Sequence, residues 1–275
     1  MTGSTPRHLQ LPGIRLNVAD AGAGTPILLL HGFPDSSELW REVTPRLVAA
    51  GHRVIAPDLR GFGDSEAPAG RRHYSIERVL ADMLALLGHL GVGEPVRVMG
   101  HDWGAVIAWC LAMFHPERVA ASVVLSVGHP REYAWAGLEQ KRKGAYTLAW
   151  QLPGIAEARL SRSDWAGLRH WARDHPDVER CIRDLARPGR LTAGLGWYRA
   201  NFVRVMLGSW PRCRVPTLGV WGSEDHCLAE DQMRNSAHRM DAPWHYERIA
   251  GAAHWLPLAQ PARIAALALD WFRRA

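Results

Sequence analysis

Lysine is nearly absent: Lys141 and Lys143 are the only two among the 33 basic residues of a 275-residue chain, and the rest are arginine. Those arginines are scattered, and no basic stripe alternates with stacking aromatics. The formal charge of +6 therefore describes a solvated arginine-rich surface and not a nucleic-acid footprint. Cysteine is scarce too, at Cys110, Cys181, Cys213 and Cys227. No C-x-x-C pair occurs, which excludes a disulfide framework and a zinc knuckle. Asp225, His226 and Cys227 stand side by side, but no further ligand follows at a suitable spacing, so no metal is expected. Long apolar runs are missing, and Met1 to Arg7 is not followed by the apolar segment of a secretion signal. The expectation is a soluble, cytoplasmic protein that does not enter a membrane. The glycine-rich loop from Asp58 to Ser65 lacks the Lys-Ser/Thr of a phosphate loop and reads as a structural turn. No internal repeat and no low-complexity segment is evident.

What is present suits a globular protein. Hydrophobic residues make up 47% and charged residues 22%, enough for one large α/β domain or a core with one inserted module. Ile14 to Val18 alternates as an early strand, and Pro26 to Leu30 is a continuous apolar run fit for a central parallel strand. A helix is predicted up to about Ala50, and Arg53 to Ala56 forms the next strand. Ser75 caps a helix whose stripe is Val79, Leu80, Met83, Leu86, Leu87 and Leu90. Pro95 to Met99, a helix through Ala105 to Ala112, and Ala121 to Ser126 continue the alternation, which implies a parallel sheet with helices on both faces. From 130 to 212 the pattern is helical and rich in tryptophan, with breakers at Pro153-Gly154 and Pro188-Gly189. It reads as an inserted all-helical lid. Strand character returns at Pro216 to Trp221 and Tyr246 to Ile249, with a helix near Glu230 to Met240 and a closing helix from Pro261 to Phe272. The expected organisation is an α/β core of residues 1–129 and 213–275 carrying a helical lid of residues 130–212.

Gly100-His101-Asp102-Trp103-Gly104 lies between the strand and the helix. Glycines two before and two after Asp102 suit a turn so tight that a Cβ at either would strike a neighbouring element. The turn pushes the central side chain out above the sheet, whereas His101 is expected to be structural. An exposed aspartate can attack saturated carbon without a base to deprotonate it, because a carboxylate is already ionised near neutral pH. Turnover then needs a base to activate water, an acid to orient that base, and donors for the oxyanion. His254, between the last strand and the last helix, fits the base. Asp225 fits the orienter, with Glu224 beside it as the weaker option. The backbone N–H groups of Phe33 and Trp103 can converge on the oxyanion.

This layout resembles the α/β-hydrolase fold: a G-x-S-x-G elbow with aspartate at the nucleophile position, and the chain order nucleophile, acid, histidine. Nearly the whole chain is similar to the epoxide hydrolases of that fold. His31-Gly32-Phe33-Pro34 resembles their oxyanion segment, Gly100 to Gly104 their H-D-W elbow, and Gly251-x-x-His254-Trp255 their histidine loop. Members carry two lid tyrosines that donate hydrogen bonds to the epoxide oxygen. Tyr146, upstream of Gln151-Leu152-Pro153-Gly154, and Tyr198, in Gly196-Trp197-Tyr198-Arg199-Ala200-Asn201, stand in the matching segments. A ring-opened alkoxide is a poor leaving group unless acidic donors meet its charge, which explains why phenols serve there.

The resemblance implies hydrolysis of an epoxide to a vicinal diol, with substrate and water as partners and no cofactor. Trp103, Trp150 and Trp255 are expected to contact an apolar substrate. Haloalkane dehalogenases, which share the aspartate nucleophile, usually carry asparagine where this chain has Phe33, or a lid tryptophan. Trp103 and Trp150 would have to supply that halide pair. Haloacetate dehalogenases carry arginines one and four places after the aspartate, where this chain has Trp103 and Val106. A non-catalytic small-molecule receptor on the same fold would have gaps in the machinery, and none is apparent. Monomer and homodimer are left open.

Overall fold

A computed structural model describes residues 5–275; residues 1–4 of the N-terminal stretch lie outside it. Eight strands form one sheet in the order β1-β2-β4-β3-β5-β6-β7-β8. They are β1 (Thr5–Leu11), β2 (Ile14–Ala21), β3 (Thr25–Leu30), β4 (His52–Pro57), β5 (Val96–His101), β6 (Val119–Leu125), β7 (Thr217–Gly222) and β8 (Trp244–Ile249). β2 pairs antiparallel with β1 and β4, and every other pairing is parallel. The α/β reading of the sequence therefore holds, with β2 running against its neighbours and β1 added beyond it as the edge strand.

The apolar run at β3 is continuous because both faces of the strand are covered. Leu28 and Leu30 face one core, and Ile27 and Leu29 the other. The first core is closed by α2 (Ile76–His89) and α3 (Trp103–Phe114), the second by α1 (Thr44–Ala49) and α12 (Pro261–Arg274). In α2 the stripe is buried at Val79, Leu80, Met83, Leu86 and Leu87, while Leu90 falls at the half-buried C-cap. Ser75 Oγ accepts the N–H of Arg78 at the start of that helix. Every residue of α3 from Trp103 to Met113 is buried, as its nearly unbroken apolar sequence requires.

Two predicted helices are broken. The stretch before Ala50 holds a 3₁₀ turn at Ser37–Trp40 and then α1, which restarts with Pro45 in its first turn. Pro45 lacks the N–H a continuous helix would need there, yet suits a new first turn. The stretch after Ala229 holds α10 (Glu230–Arg234) followed by 3₁₀ geometry at Asn235–Arg239.

Between β6 and β7 lie α4 (Pro130–Trp135), α5 (Leu138–Lys143), α6 (Tyr146–Ala149), α7 (Ile155–Trp171), α8 (Val178–Leu185) and α9 (Arg190–Leu207). In α7, Arg162 to Trp165 leave helical dihedrals, so the element is kinked. Asn201 ties α9 to the core: its amide accepts the N–H of Ile76 and donates to the carbonyls of Tyr74 and Trp197. Arg199 grips Glu157 through both guanidinium nitrogens and also donates to the Trp150 carbonyl. These bonds fix the face of α9 that looks down on the ends of β3 and β5. All four cysteines are free and buried. No helix among the described residues is long and apolar enough to cross a membrane. α11 (Leu256–Ala259) separates the loop after β8 from α12.

Candidate active site

Asp102 stands between the last residue of β5 and the first of α3, with φ 53° and ψ −121°. A non-glycine residue held there costs roughly 1–3 kcal/mol, supplied by the packing around it. The flanking glycines have no substitute: a Cβ on Gly100 would lie 2.2 Å from the Gly104 carbonyl oxygen, and one on Gly104 2.0 Å from that of Leu30. The turn thus packs directly on the end of β3, the neighbour of β5. Phe33, just beyond β3, donates its N–H to Asp102 Oδ1 at 2.8 Å.

The histidine and its partner come from the other half of the sheet. His254, in the loop between β8 and α11, donates from Nδ1 to Asp225 Oδ2 at 2.8 Å. Asp225 follows β7, and its Oδ1 accepts the N–H groups of Cys227 and Leu228 at 2.8 and 2.9 Å. Glu224 points outward and is exposed, so Asp225 is the carboxylate that meets the imidazole. His254 Nε2 faces Asp102 Oδ2 at 4.0 Å and is buried without a partner among the described residues. His101 Nε2 and Ser126 Oγ both donate to the His254 carbonyl, giving His101 the structural place its position in the turn suggested.

Burial sets the electrostatics. It raises the Asp102 carboxyl to about 6, against the pull of the His254 charge and of the Trp103 and Phe33 N–H groups. Burial alone would lower His254, but the Asp225 carboxylate in contact with it, helped by Asp102, lifts it to about 9. Burial and the neighbouring His254 charge push His101 down to about 3, so it stays neutral.

A cavity of about 70 Å³ opens above Asp102. Trp103, Tyr133, Tyr146 and Tyr198 line it, together with Val106, Thr147, Phe202 and Met206. The phenol oxygen of Tyr198 is buried and has no partner among the described residues. Burial raises Tyr146 and Tyr198 well above the usual phenol value, Tyr198 next by the Asp102 charge, so both stay protonated donors. Tyr133 is raised to about 12 by burial and then Asp102.

Two residues expected at the substrate lie elsewhere. Trp150 and Trp255 do not line this cavity. Trp150 is buried behind it, with ring centroids 4.6 Å from Tyr146, 4.8 Å from Tyr198 and 5.2 Å from Phe33. Its ring packs against both phenols. Trp255 packs edge-on to His254 at 4.9 Å and contacts His175 at 4.7 Å. The Phe33 ring is likewise outside the lining, and its N–H is what reaches Asp102. The sequence reading missed Tyr133, Phe202 and Met206. The last two stand four and eight places after Tyr198 on α9, so the helical period carried that signal. Tyr133 sits on the short α4, whose facing nothing in the pattern fixes.

Two groups of three His, Cys or Asp side chains bring their ligand atoms within 4.8 Å of one another among the described residues. One is Asp225, Cys227 and His254; the other is Asp35, His175 and Cys181.

Residues 25–261 match the family model of the alpha/beta hydrolase fold. Epoxide hydrolase A of Mycobacterium tuberculosis is 32% identical, with 98% of each chain covered. The AB hydrolase superfamily protein YfhM of Bacillus subtilis is 34% identical over 99% of each chain. Among solved structures, epoxide hydrolase A of Mycobacterium thermoresistibile superposes with a TM-score of 0.81 at 28% identity, covering 98% of both chains. An epoxide hydrolase of Vigna radiata gives 0.84 at 27% identity, covering 99% of this chain and 98% of its own. On sequence and architecture together, the chain belongs to the α/β-hydrolase fold family, among the members named epoxide hydrolases.

Proposed function

We propose that this protein hydrolyses epoxides to vicinal diols through an ester on Asp102. The observation that carries the reading is a single cavity in which a carboxylate at a helix N-terminus is faced by the phenols of Tyr146 and Tyr198. In the first step an Asp102 carboxylate oxygen forms a bond to an epoxide carbon. The carbon–oxygen bond of the ring breaks, and its electron pair stays on the epoxide oxygen, where the two phenols donate to it. The alkoxide gains its proton at the expense of the His254 imidazolium, which becomes neutral. Esterified Asp102 carries no charge, so His254 has lost one of the two anions that hold its proton and is ready to act as a base.

In the second step neutral His254, oriented by Asp225, removes a proton from water as the water oxygen attacks the Asp102 carbonyl carbon. The Phe33 and Trp103 N–H groups hold the oxyanion. Collapse breaks the ester bond to the diol oxygen, which takes the proton of the newly added hydroxyl. The carboxylate and the imidazolium are restored, and every proton is accounted for. The helices between β6 and β7 serve as the lid that brings the phenols over the nucleophile.

Dehalogenase chemistry would need a second halide donor beside Trp103. The burial of Trp150 behind the tyrosines speaks against it in that role. Purified protein offered styrene-type epoxides, haloalkanes and fluoroacetate in parallel is expected to release diol from the first set alone. Halide release without diol would overturn the reading.

A further inference from the structure

Asp225-His226-Cys227 lacks a further ligand at a suitable spacing in the sequence, but the fold supplies one from another loop. His254 brings its imidazole to Asp225, and the ligand atoms of Asp225, Cys227 and His254 lie within 4.8 Å of one another. All three residues are almost completely buried, at 1%, 2% and 1% exposure. We infer that these three residues form a binding site for a soft divalent cation of the zinc or cadmium type, and that filling it switches off the His254–Asp225 pair. The binding stands on the geometry alone; the loss of turnover rests on the epoxide-hydrolase reading.

Carboxylate, thiolate and imidazole together are a ligand set for such ions. With the thiol proton lost, the set carries two negative charges and one neutral imidazole, which balances a divalent cation. Asp225 Oδ1 is held by the N–H groups of Cys227 and Leu228, whereas Oδ2 meets only the imidazole. The ion would enter between Oδ2 and Nδ1, displacing the proton shared there, so binding releases that proton and the thiol proton of Cys227. Lys143 is turned onto the backbone carbonyls of Asp225 and Leu228, not onto the carboxylate. His226 Nε2 lies 3.4 Å from Cys227 Sγ, but its ring is held by the Trp171 carbonyl and Asp174.

The second cluster has the same three ligand types and is already filled. Arg180 Nη2 lies 2.7 Å from Asp35 Oδ1 and 3.7 Å from Cys181 Sγ. The guanidinium neutralises Asp35 and would repel an incoming metal ion. The two clusters therefore make an internal comparison: the charge that offsets Asp35 belongs to a guanidinium that cannot give up a proton, whereas the one that offsets Asp225 is a proton on His254 that an incoming ion can displace.

The test is a titration of the full chain with cadmium chloride, followed by the ultraviolet cadmium–thiolate charge-transfer band and by turnover of an epoxide in the same samples. One cadmium per chain is expected. The band and the loss of turnover should saturate together, and a chelator should reverse both. Cys227→Ala and Cys227→Ser keep the backbone N–H that holds Asp225, and each variant's own turnover is the reference for its inhibition. Both should lose the band and the sensitivity, and Cys181→Ser should keep both. No saturable band in the wild type, a band that survives in the Cys227 variants, or one that disappears with Cys181→Ser overturns the site. A band that saturates without affecting turnover overturns the switching. If no epoxide is turned over at all, the band still decides the site while the functional reading fails separately.

Discussion

His254 Nε2 stands 4.0 Å from Asp102 Oδ2, near enough for each to feel the other's charge and too far for a hydrogen bond. The carboxylate and the imidazolium are thus coupled without being tied, and each helps to keep the other ionised. Alkylation needs Asp102 as a carboxylate, and burial has lifted its pKa to about 6. The single-turnover rate of ester formation should therefore be flat from that value up to about 9, where His254 loses the proton it gives to the alkoxide, and fall about tenfold per pH unit below about 6. Stopped-flow tryptophan fluorescence or quenched-flow mass analysis across pH 4 to 8 checks this. A rate that holds unchanged down to pH 4 would place the carboxyl in an ordinary solvated environment.

The same shift predicts a stability effect. Asp102 binds its proton more tightly when folded, from 3.8 to about 6. Its favourable contribution is complete below the unfolded value and is lost as pH rises through the folded one. Above that pH the native state carries a buried charge that the unfolded chain solvates more easily. Asp102→Asn should accordingly raise the melting temperature at pH 8 by more than at pH 4, corresponding to about 2–3 kcal/mol of relief at most. Equal gains at both pH values would trace the effect to packing and not to charge.

Removing the base should separate the two steps. In His254→Gln the nucleophile and both phenols remain, so ester formation proceeds, more slowly and with the alkoxide taking its proton from water, and its hydrolysis stops. Intact-mass analysis should find the protein heavier by one substrate molecule, with the increase on a peptide containing Asp102. Absence of any adduct with a reactive epoxide would refute the covalent step.

These expectations were legible to unequal degrees. β3, β5, β6 and β7 read directly as apolar runs because both of their faces are covered, and the turn at Asp102 read from Gly100 and Gly104 because the start of α3 and the end of β3 leave no room for a Cβ at the one and the other. β1 did not read as a strand. Arg7, His8 and Gln10 give it little apolar signal, since it pairs only with β2 at the sheet's edge. The choice between Glu224 and Asp225 lay beyond the sequence, because adjacent residues in a loop differ only in where the chain turns them. Trp150 carried an aromatic signal without a direction: a ring behind the tyrosines and a ring in front of them look alike until α6 and α9 are packed together.

The packing of Trp150 against both phenols bears on how they act. It fixes two donors above one carboxylate, so each should contribute to ring opening and much less to ester hydrolysis. Tyr146→Phe and Tyr198→Phe are each expected to lower the alkylation rate about a hundredfold, leaving the decay of a preformed ester nearly unchanged. The double variant should lose more than the product of the single losses, because in each single variant the remaining phenol still meets the alkoxide charge and in the double none does. A variant slowed equally in both steps would show that the tyrosine positions the site and does not serve the epoxide oxygen.

Asp35 lies two residues beyond Phe33, the donor to Asp102, and is 1% exposed. Burial would raise its carboxyl, but contact with His175 and Arg180 holds it well below the usual range. His175 and Arg180, between β6 and β7, thereby clamp the helical segment to the loop that carries the Phe33 N–H. Arg180→Met leaves His175 as the remaining partner of this buried carboxylate, so it should cost about 2 kcal/mol of stability. It should also lower turnover by loosening Phe33. Asp35→Asn combined with Arg180→Met removes both charges and should regain part of the stability, because a buried carboxylate left with one of its two partners is no longer fully offset. Chemical denaturation of the two single variants and the double measures the coupling. Additive losses would show that the carboxylate and the guanidinium do not depend on each other, and that the clamp is held by packing alone.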